Sequence, residues 1–132
     1  MFKFKILKDK KISKACFSLT LKMKNKKLSV AIATFNEERN IAKCLESVKD
    51  WVDEIVLVDG SSTDRTREIA KKLGAKVIKT TNKPIFHINK NIAINACHGD
   101  WILQLDADEL VPLEMRDEIL SIVREEPKVG RP

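Results

Sequence analysis

Glycine and proline are scarce, at four each in 132 residues. That composition excludes collagen-like and low-complexity chains. Cysteine is limited to Cys16, Cys44 and Cys97, an odd and widely spaced set with no CxxC pair. Such spacing supports neither a zinc site nor a disulfide framework, and a reducing cytoplasm suits it best. Cys44 and Cys97 fall among apolar helical positions and read as small core residues. No apolar run approaches the ~20 residues of a membrane span. Near the N-terminus, Phe2, Phe4, Ile6 and Leu7 are interrupted by Lys, so no clean secretory signal is legible. The dinucleotide fingerprint GxGxxG is missing, and so is the phosphate loop GxxxxGK followed by Ser or Thr.

What is present fits one globular domain: 43% of residues are hydrophobic and 33% charged. The net charge of +6 is unevenly spread. Residues 1–27 carry ten Lys and one Asp, whereas residues 28–132 carry 15 basic and 18 acidic residues and are mildly negative. The expected division is a basic N-terminal extension over 1–27 and a folded part over 28–132. A Lys-rich extension is either a solvated, poorly ordered terminus or a peripheral contact with an anionic membrane face; no nucleic-acid partner is expected. Met23 stands just before the first good strand, and translation starting there would make residues 1–22 an over-extension. The expected location is cytoplasmic, with peripheral contact at the inner membrane face.

Along the folded part, apolar runs and helical stripes alternate. Leu28 to Thr34 is a small-apolar and β-branched run, as in a strand buried on both faces. Asn36-Glu37-Glu38 reads as a capped helix start, and Ile41, Cys44, Leu45 and Val48 form its apolar stripe. Glu54 to Val58 is a second strand, ending at Asp59-Gly60. Ser61 to Asp64 supplies turn and cap residues, with Ile69, Ala70 and Leu73 as the next helix face and Gly74 as its terminating glycine. Lys76 to Lys79 is a short third strand. Ile88, Ile92, Ala93 and Ala96 make a helix ending near Gly99, Trp101 to Leu105 is a fourth strand, and Pro112 opens a last helix carrying Met115, Ile119, Ile122 and Val123. The alternation predicts an α/β, mostly parallel sheet with helices on both faces. Ligands bind such sheets beyond the C-terminal strand ends, which selects Thr34–Glu37, Asp59–Asp64 and Asp106–Glu109.

Each of these places has two readings. In Asp106-Ala107-Asp108, continued alternation would turn both carboxylates to one side. Paired carboxylates repel unless a cation intervenes, and Mg²⁺ or Mn²⁺ is held by one or two carboxylates plus substrate phosphates. A strand-end turn explains the same residues. Asp59 either accepts hydrogen bonds from a ligand or ends a strand, while Asp64 reads as a helix cap. Phe35 either stacks on a base or packs in the core; Glu37 either accepts from a ribose or base or is a helix-start acid. Lys90 either contacts a phosphate or base or lies on a helix surface. His87 and His98 lack a metal-ligand partner at helical spacing and read as surface residues. Trp51 and Trp101 read as packing residues.

Taken together the segments resemble family 2 glycosyltransferases. Ser29-Val30-Ala31-Ile32-Ala33-Thr34-Phe35-Asn36-Glu37-Glu38 is similar to the family's opening strand, and Ile55-Val56-Leu57-Val58-Asp59-Gly60-Ser61-Ser62-Thr63-Asp64-Arg65-Thr66 to its second motif. Lys90-Asn91, followed by Ala96 through Glu109, is similar to the segment entering its DxD, and the ending resembles bacterial lipopolysaccharide-core β-glucosyltransferases. The resemblance covers residues 28 to about 115. It implies a Rossmann-like GT-A fold and inverting, metal-dependent transfer of a hexose from a nucleotide-diphosphate sugar of the UDP-glucose kind to a saccharide or lipid-linked acceptor. By position, Thr34, Phe35 and Glu37 line the uridine pocket, Asp59 binds the base, Lys90 is a basic donor contact, Asp106 holds the ribose or sugar side, and Asp108 holds Mg²⁺ or Mn²⁺.

Two departures accompany it. Ala33 stands where Pro is usual, and the chain ends at Pro132 soon after the helix that follows the DxD. The acceptor site and the general base, which takes the acceptor hydroxyl's proton, are expected beyond Pro132; neither Glu109 nor Asp117 is placed for that role. A non-catalytic fragment that binds nucleotide sugar is the alternative. A nucleotidyltransferase is the weaker rival, because Thr34 to Arg39 has no Gly.

Overall fold

The computed structural model describes residues 5–8, 27–82 and 86–124. Apart from Lys5–Lys8 and Lys27, the basic extension lies outside the described residues, as do Cys16 and Met23, and with them the membrane-contact and start-site expectations. In chain order the elements are β1 (Lys5–Lys8), β2 (Leu28–Thr34), α1 (Ile41–Glu46), β3 (Glu54–Asp59), α2 (Thr66–Lys72), β4 (Lys76–Lys79), α3 (Phe86–Ala96), β5 (Trp101–Gln104) and α4 (Leu113–Arg124).

The strands form one sheet in the order β1-β5-β2-β3-β4. The four strands β2 to β5 are mutually parallel, with Leu28 opposite Trp101, Thr34 opposite Asp59, and Asp59 opposite Lys79. β1 pairs antiparallel with β5, Lys5 opposite Gln104, an edge strand inside the stretch whose sequence reads as an extension.

Pleating splits β2 between two cores. Val30 and Ile32 join Leu57 and Leu103 against Ile41, Cys44, Leu45, Ala70, Ile119 and Val123, so α1, α2 and α4 cover one face. Ala31 joins Val56, Val58 and Ile102 against Ala93 of α3 on the other. Burial on both faces explains why β2 and β3 read as unbroken apolar runs. Leu45 and Leu57 are fully buried, and truncating either to Ala costs about 2–5 kcal/mol.

Several local readings change. Asn36 does not cap α1, which begins five residues later; Asn36 adopts φ 52°, a left-handed turn that Asn tolerates. β5 ends at Gln104, and although Leu105 N–H still donates to the Ala31 carbonyl at 3.0 Å, Ala107 and Asp108 form a turn. The extended alternation expected for the DxD pair is therefore replaced by a turn. On α3 the buried positions are Asn89 and Ala93, while Ile88 is exposed. Gly74 does terminate α2, at φ 92°. Trp51 and Trp101 pack half-buried against the core, and both histidines are exposed.

Candidate functional site at the strand ends

The chain runs outward from β2 to β3 to β4, then returns to place β5 on the other side of β2. The order thus reverses between β2 and β5, and the crevice beyond a reversal point is where open α/β sheets bind ligands. Thr34 to Glu37 leave β2 at this point and Asp106 to Glu109 leave β5.

The β2–α1 and β3–α2 loops are laced together. Asn36 N–H donates to Ser62 Oγ at 2.8 Å, and Thr63 N–H donates to Asn36 Oδ1 at 2.8 Å. Glu37 N–H donates to Thr66 Oγ1 at 2.9 Å, and Glu38 N–H to Asp64 Oδ2 at 3.2 Å. Asp64 also accepts from the Thr66 N–H at 3.0 Å, although the N-cap position itself falls on Arg65, which has no side-chain cap. Asn36 and Ser61, at φ 52° and 64°, are the two non-glycine residues with positive φ among those described. Both sit in these loops, where strain persists only if surrounding bonds hold it.

Asp59 is fully buried, and its carboxylate is enclosed by protein donors. Oδ1 accepts from Thr34 Oγ1 at 2.8 Å and Ser62 Oγ at 2.6 Å. Oδ2 accepts from Ser62 N–H and Arg67 Nη1, both at 2.8 Å. Burial pushes its pKa upward, but the Ser62, Arg67 and Thr34 hydrogen bonds outweigh burial and hold it below the ordinary carboxylate value. A carboxylate accepts about four hydrogen bonds, and four come from within. Asp59 therefore braces the loops from inside.

The β5–α4 turn is closed on itself. Asp106 N–H donates to Glu109 Oε1 at 2.8 Å, and Glu109 N–H to the Asp106 carbonyl at 2.9 Å. Lys90, reaching over from α3, places Nζ 3.0 Å from Asp106 Oδ1. Asp108 is exposed. The Cys44 thiol lies beneath the turn, its Sγ 3.6 Å from the Asp106 carbonyl. Burial, then the charges of Glu109, Asp108, Asp106 and Glu37, push its pKa up to about 12. Glu109 is itself raised, by burial and by Asp106 and Asp108, against the opposing effects of its bond from Asp106 N–H and the charge of Lys90. Among the described residues no three His, Cys, Asp or Glu converge as a ready-made metal centre. Hard carboxylate oxygens of Asp106 and Asp108 suit Mg²⁺ or Mn²⁺ if phosphate and water complete the shell.

The structure thus joins Lys90 to Asp106 and Thr34 to Asp59, while Glu37 bonds to Thr66 and Asn40. Phe35 stays at the surface, 42% exposed. Sequence reasoning missed Arg67, Ser62, Thr66 and the side-chain role of Asn36. Their only signal was the density of Ser, Thr and Asp after Asp59, which reads as an ordinary turn.

A parallel α/β sheet with a polar crevice at its reversal point and carboxylates on the flanking loops has the architecture of the GT-A class. Residues 29–130 match the family model described as Glycosyl transferase family 2, and the chain belongs to that family. It is 48% identical over 96 residues to an uncharacterized glycosyltransferase of Rickettsia typhi, covering 71% of this chain and 32% of that one. Among solved structures it is similar to S. aureus TarS, at 29% identity and TM-score 0.65, covering 74% of this chain and 32% of TarS residues 1–349. The mannosyltransferase PcManGT of Pyrobaculum calidifontis, in complex with GDP-Man and Mn²⁺, shares the fold at 23% identity and TM-score 0.64, covering 77% of this chain and 32% of that one. The chain spans about a third of the length of these curated relatives. No helix among the described residues is long and apolar enough to cross a membrane.

Proposed function

We propose that this chain is the donor-binding part of a glycosyltransferase that takes a hexose from a nucleotide-diphosphate sugar, with Mg²⁺ or Mn²⁺, and passes it with inversion to a saccharide or lipid-linked acceptor. The observation that carries the reading is the Lys90–Asp106 pair in the turn that holds Asp108 and Glu109, at the reversal point of the sheet. A cation beside grouped carboxylates is what a metal–diphosphate ligand requires on its two sides. The complex of PcManGT with GDP-Man and Mn²⁺ is consistent with it, and the UDP form of the donor rests on the motif resemblance.

In this reading Asp108 holds the metal, which when bound would offset the charge of the departing diphosphate, and Asp106 faces the ribose or sugar side, a second carboxylate beside it. Lys90 meets the phosphates. Thr34, Phe35 and Glu37 line the nucleoside side, with Phe35 as the stacking face. Asp59 acts on the same pocket by bracing Thr34 and the β3–α2 loop. The test is calorimetric titration of the chain with UDP, with and without Mn²⁺. Metal-dependent binding is expected; absence of binding well above ~1 mM, the range of very weak complexes, sinks the proposal.

A further inference from the structure

Lys90 and Asp106 form an ion pair that ties α3 to the β5–α4 turn. The Lys90 side chain is 17% exposed and that of Asp106 49% exposed. The ammonium is thus the more deeply placed partner, and a mostly buried charge is costly without an opposite one. Asp106 is therefore neutralised by the protein itself. The same oxygen cannot serve a divalent cation without bringing two positive groups together, and that repulsion is strong where water is partly excluded. A diphosphate reverses the balance, because its oxygens accept from an ammonium and ligate a metal at once.

We propose that Lys90 is a placeholder for the metal. In the ligand-free protein its Nζ occupies Asp106; when a nucleoside diphosphate arrives with its cation, Nζ moves to a phosphate oxygen and releases Asp106. This rests on the donor-binding reading above and adds an order to it. No bond to carbon or phosphorus changes. The cation alone competes with Lys90, whereas cation and nucleotide together do not. Metal and nucleotide then strengthen one another, and by linkage each does so by the same factor.

The experiment measures free Mn²⁺ by electron paramagnetic resonance against the full 132-residue chain, its Lys90→Gln variant and its Lys90→Arg variant, each with and without UDP. Without UDP, Lys90→Gln is expected to bind Mn²⁺ at least about fivefold more tightly than the parent, the low end of usual coupling between sites. With UDP, its affinity for the nucleotide should fall and the mutual strengthening should shrink. Lys90→Arg keeps the charge and should behave as the parent. Unchanged or weaker Mn²⁺ binding in Lys90→Gln overturns the exchange, as does Lys90→Arg behaving like Lys90→Gln. A second measurement needs no variant: the NMR signal of the Lys90 side chain should move on adding UDP with Mg²⁺, and a signal that stays in place also overturns it. The two failures are separable. A parent chain that never binds UDP defeats the donor-binding reading. One that binds UDP with Mn²⁺, while Lys90→Gln leaves the metal-only affinity unchanged, defeats only the exchange.

Discussion

Arg67 donates from Nη1 to Asp59 Oδ2 at 2.8 Å and, from the same nitrogen, to the Ser62 carbonyl at 3.0 Å. The pair joins the first turns of α2 to the end of β3, so the loop at the crevice is held by a charge bridge that crosses its base. Asp59 is fully buried and Arg67 mostly so, with 28% of its side chain exposed. Removing the guanidinium strands a buried carboxylate. Arg67→Met is therefore expected to cost about 2–4 kcal/mol, near the lower part of the range for breaking a buried pair, in urea unfolding. A loss below about 0.5 kcal/mol, the usual surface effect, would show that the bridge is not a brace.

Asp108 belongs to a different class of residue. It is exposed, and among the described residues no hydrogen bond or ion pair holds its side chain. Asp108→Asn is expected to leave stability within about 0.5 kcal/mol while removing the gain in UDP affinity that Mn²⁺ provides. Chelation of the metal from the parent chain should reproduce the same binding loss. Retention of the full metal effect in Asp108→Asn would move the metal site elsewhere.

At the opposite pole of the sheet, Gly99 is enclosed. A Cβ there would lie 2.5 Å from Ser29 Oγ, 2.9 Å from Ser29 N and 3.0 Å from the Lys27 carbonyl. Gly99→Ala should cost about 1–3 kcal/mol, as overpacking does. Adding Ser29→Ala should recover only part, because two of the three obstacles are backbone. Full recovery in the double variant would show that the hydroxyl was the whole obstacle.

Acid should act on the same pole. Burial raises the Glu54 carboxyl, but bonds from the His98 N–H at 2.7 Å, His98 Nδ1 at 2.9 Å and Ser29 Oγ at 2.6 Å outweigh burial and lower it. A lowered folded value means stability that is present above the unfolded pKa, which is 4.5, and lost as pH falls through the folded one. Asp59 has the same sign. Glu109, raised, has the opposite sign, losing stability as pH rises through its folded value. The acid limb of a stability–pH profile should therefore be shallower in Glu54→Gln than in the parent. Parallel profiles would show that Glu54 does not titrate with folding.

Cys44 should be inert. Its thiol is fully buried and its pKa stands at about 12, and reaction requires the thiolate. Iodoacetamide at pH 8, followed by peptide mass mapping, is expected to leave Cys44 unmodified in native protein and to label it after denaturation. Labelling at equal rates in both states would contradict the packing described beneath the DxD turn.

Much of this protein was legible in one dimension. The apolar stretches 30–33 and 55–58 mark strands covered on both faces, because a strand with one wet face has to alternate. Ile41, Cys44 and Leu45 at helical spacing declared the face that α1 buries, and with Val48, in the turn just past it, all four are fully buried. Alternation of strand and helix then dictates a parallel sheet, and the polar ends of its strands name the crevice. These follow from periodicity, which is a property of neighbours in the chain.

What only the tertiary structure decided is which polar groups face one another. Asp59 and Arg67 are eight residues apart and Asp59 and Thr34 twenty-five, and no local pattern shows that both meet on one carboxylate. Lys90 and Asp106 stand on separate elements, joined because the return of β5 beside β2 brings the DxD turn under α3. Asn36 reads as a helix cap until the β3–α2 loop supplies a better donor for its side chain. Hydrogen bonds and ion pairs act over a few ångströms in space, whatever the separation along the chain. The sequence could therefore point to the crevice, while the pairing of its charges waited on the fold.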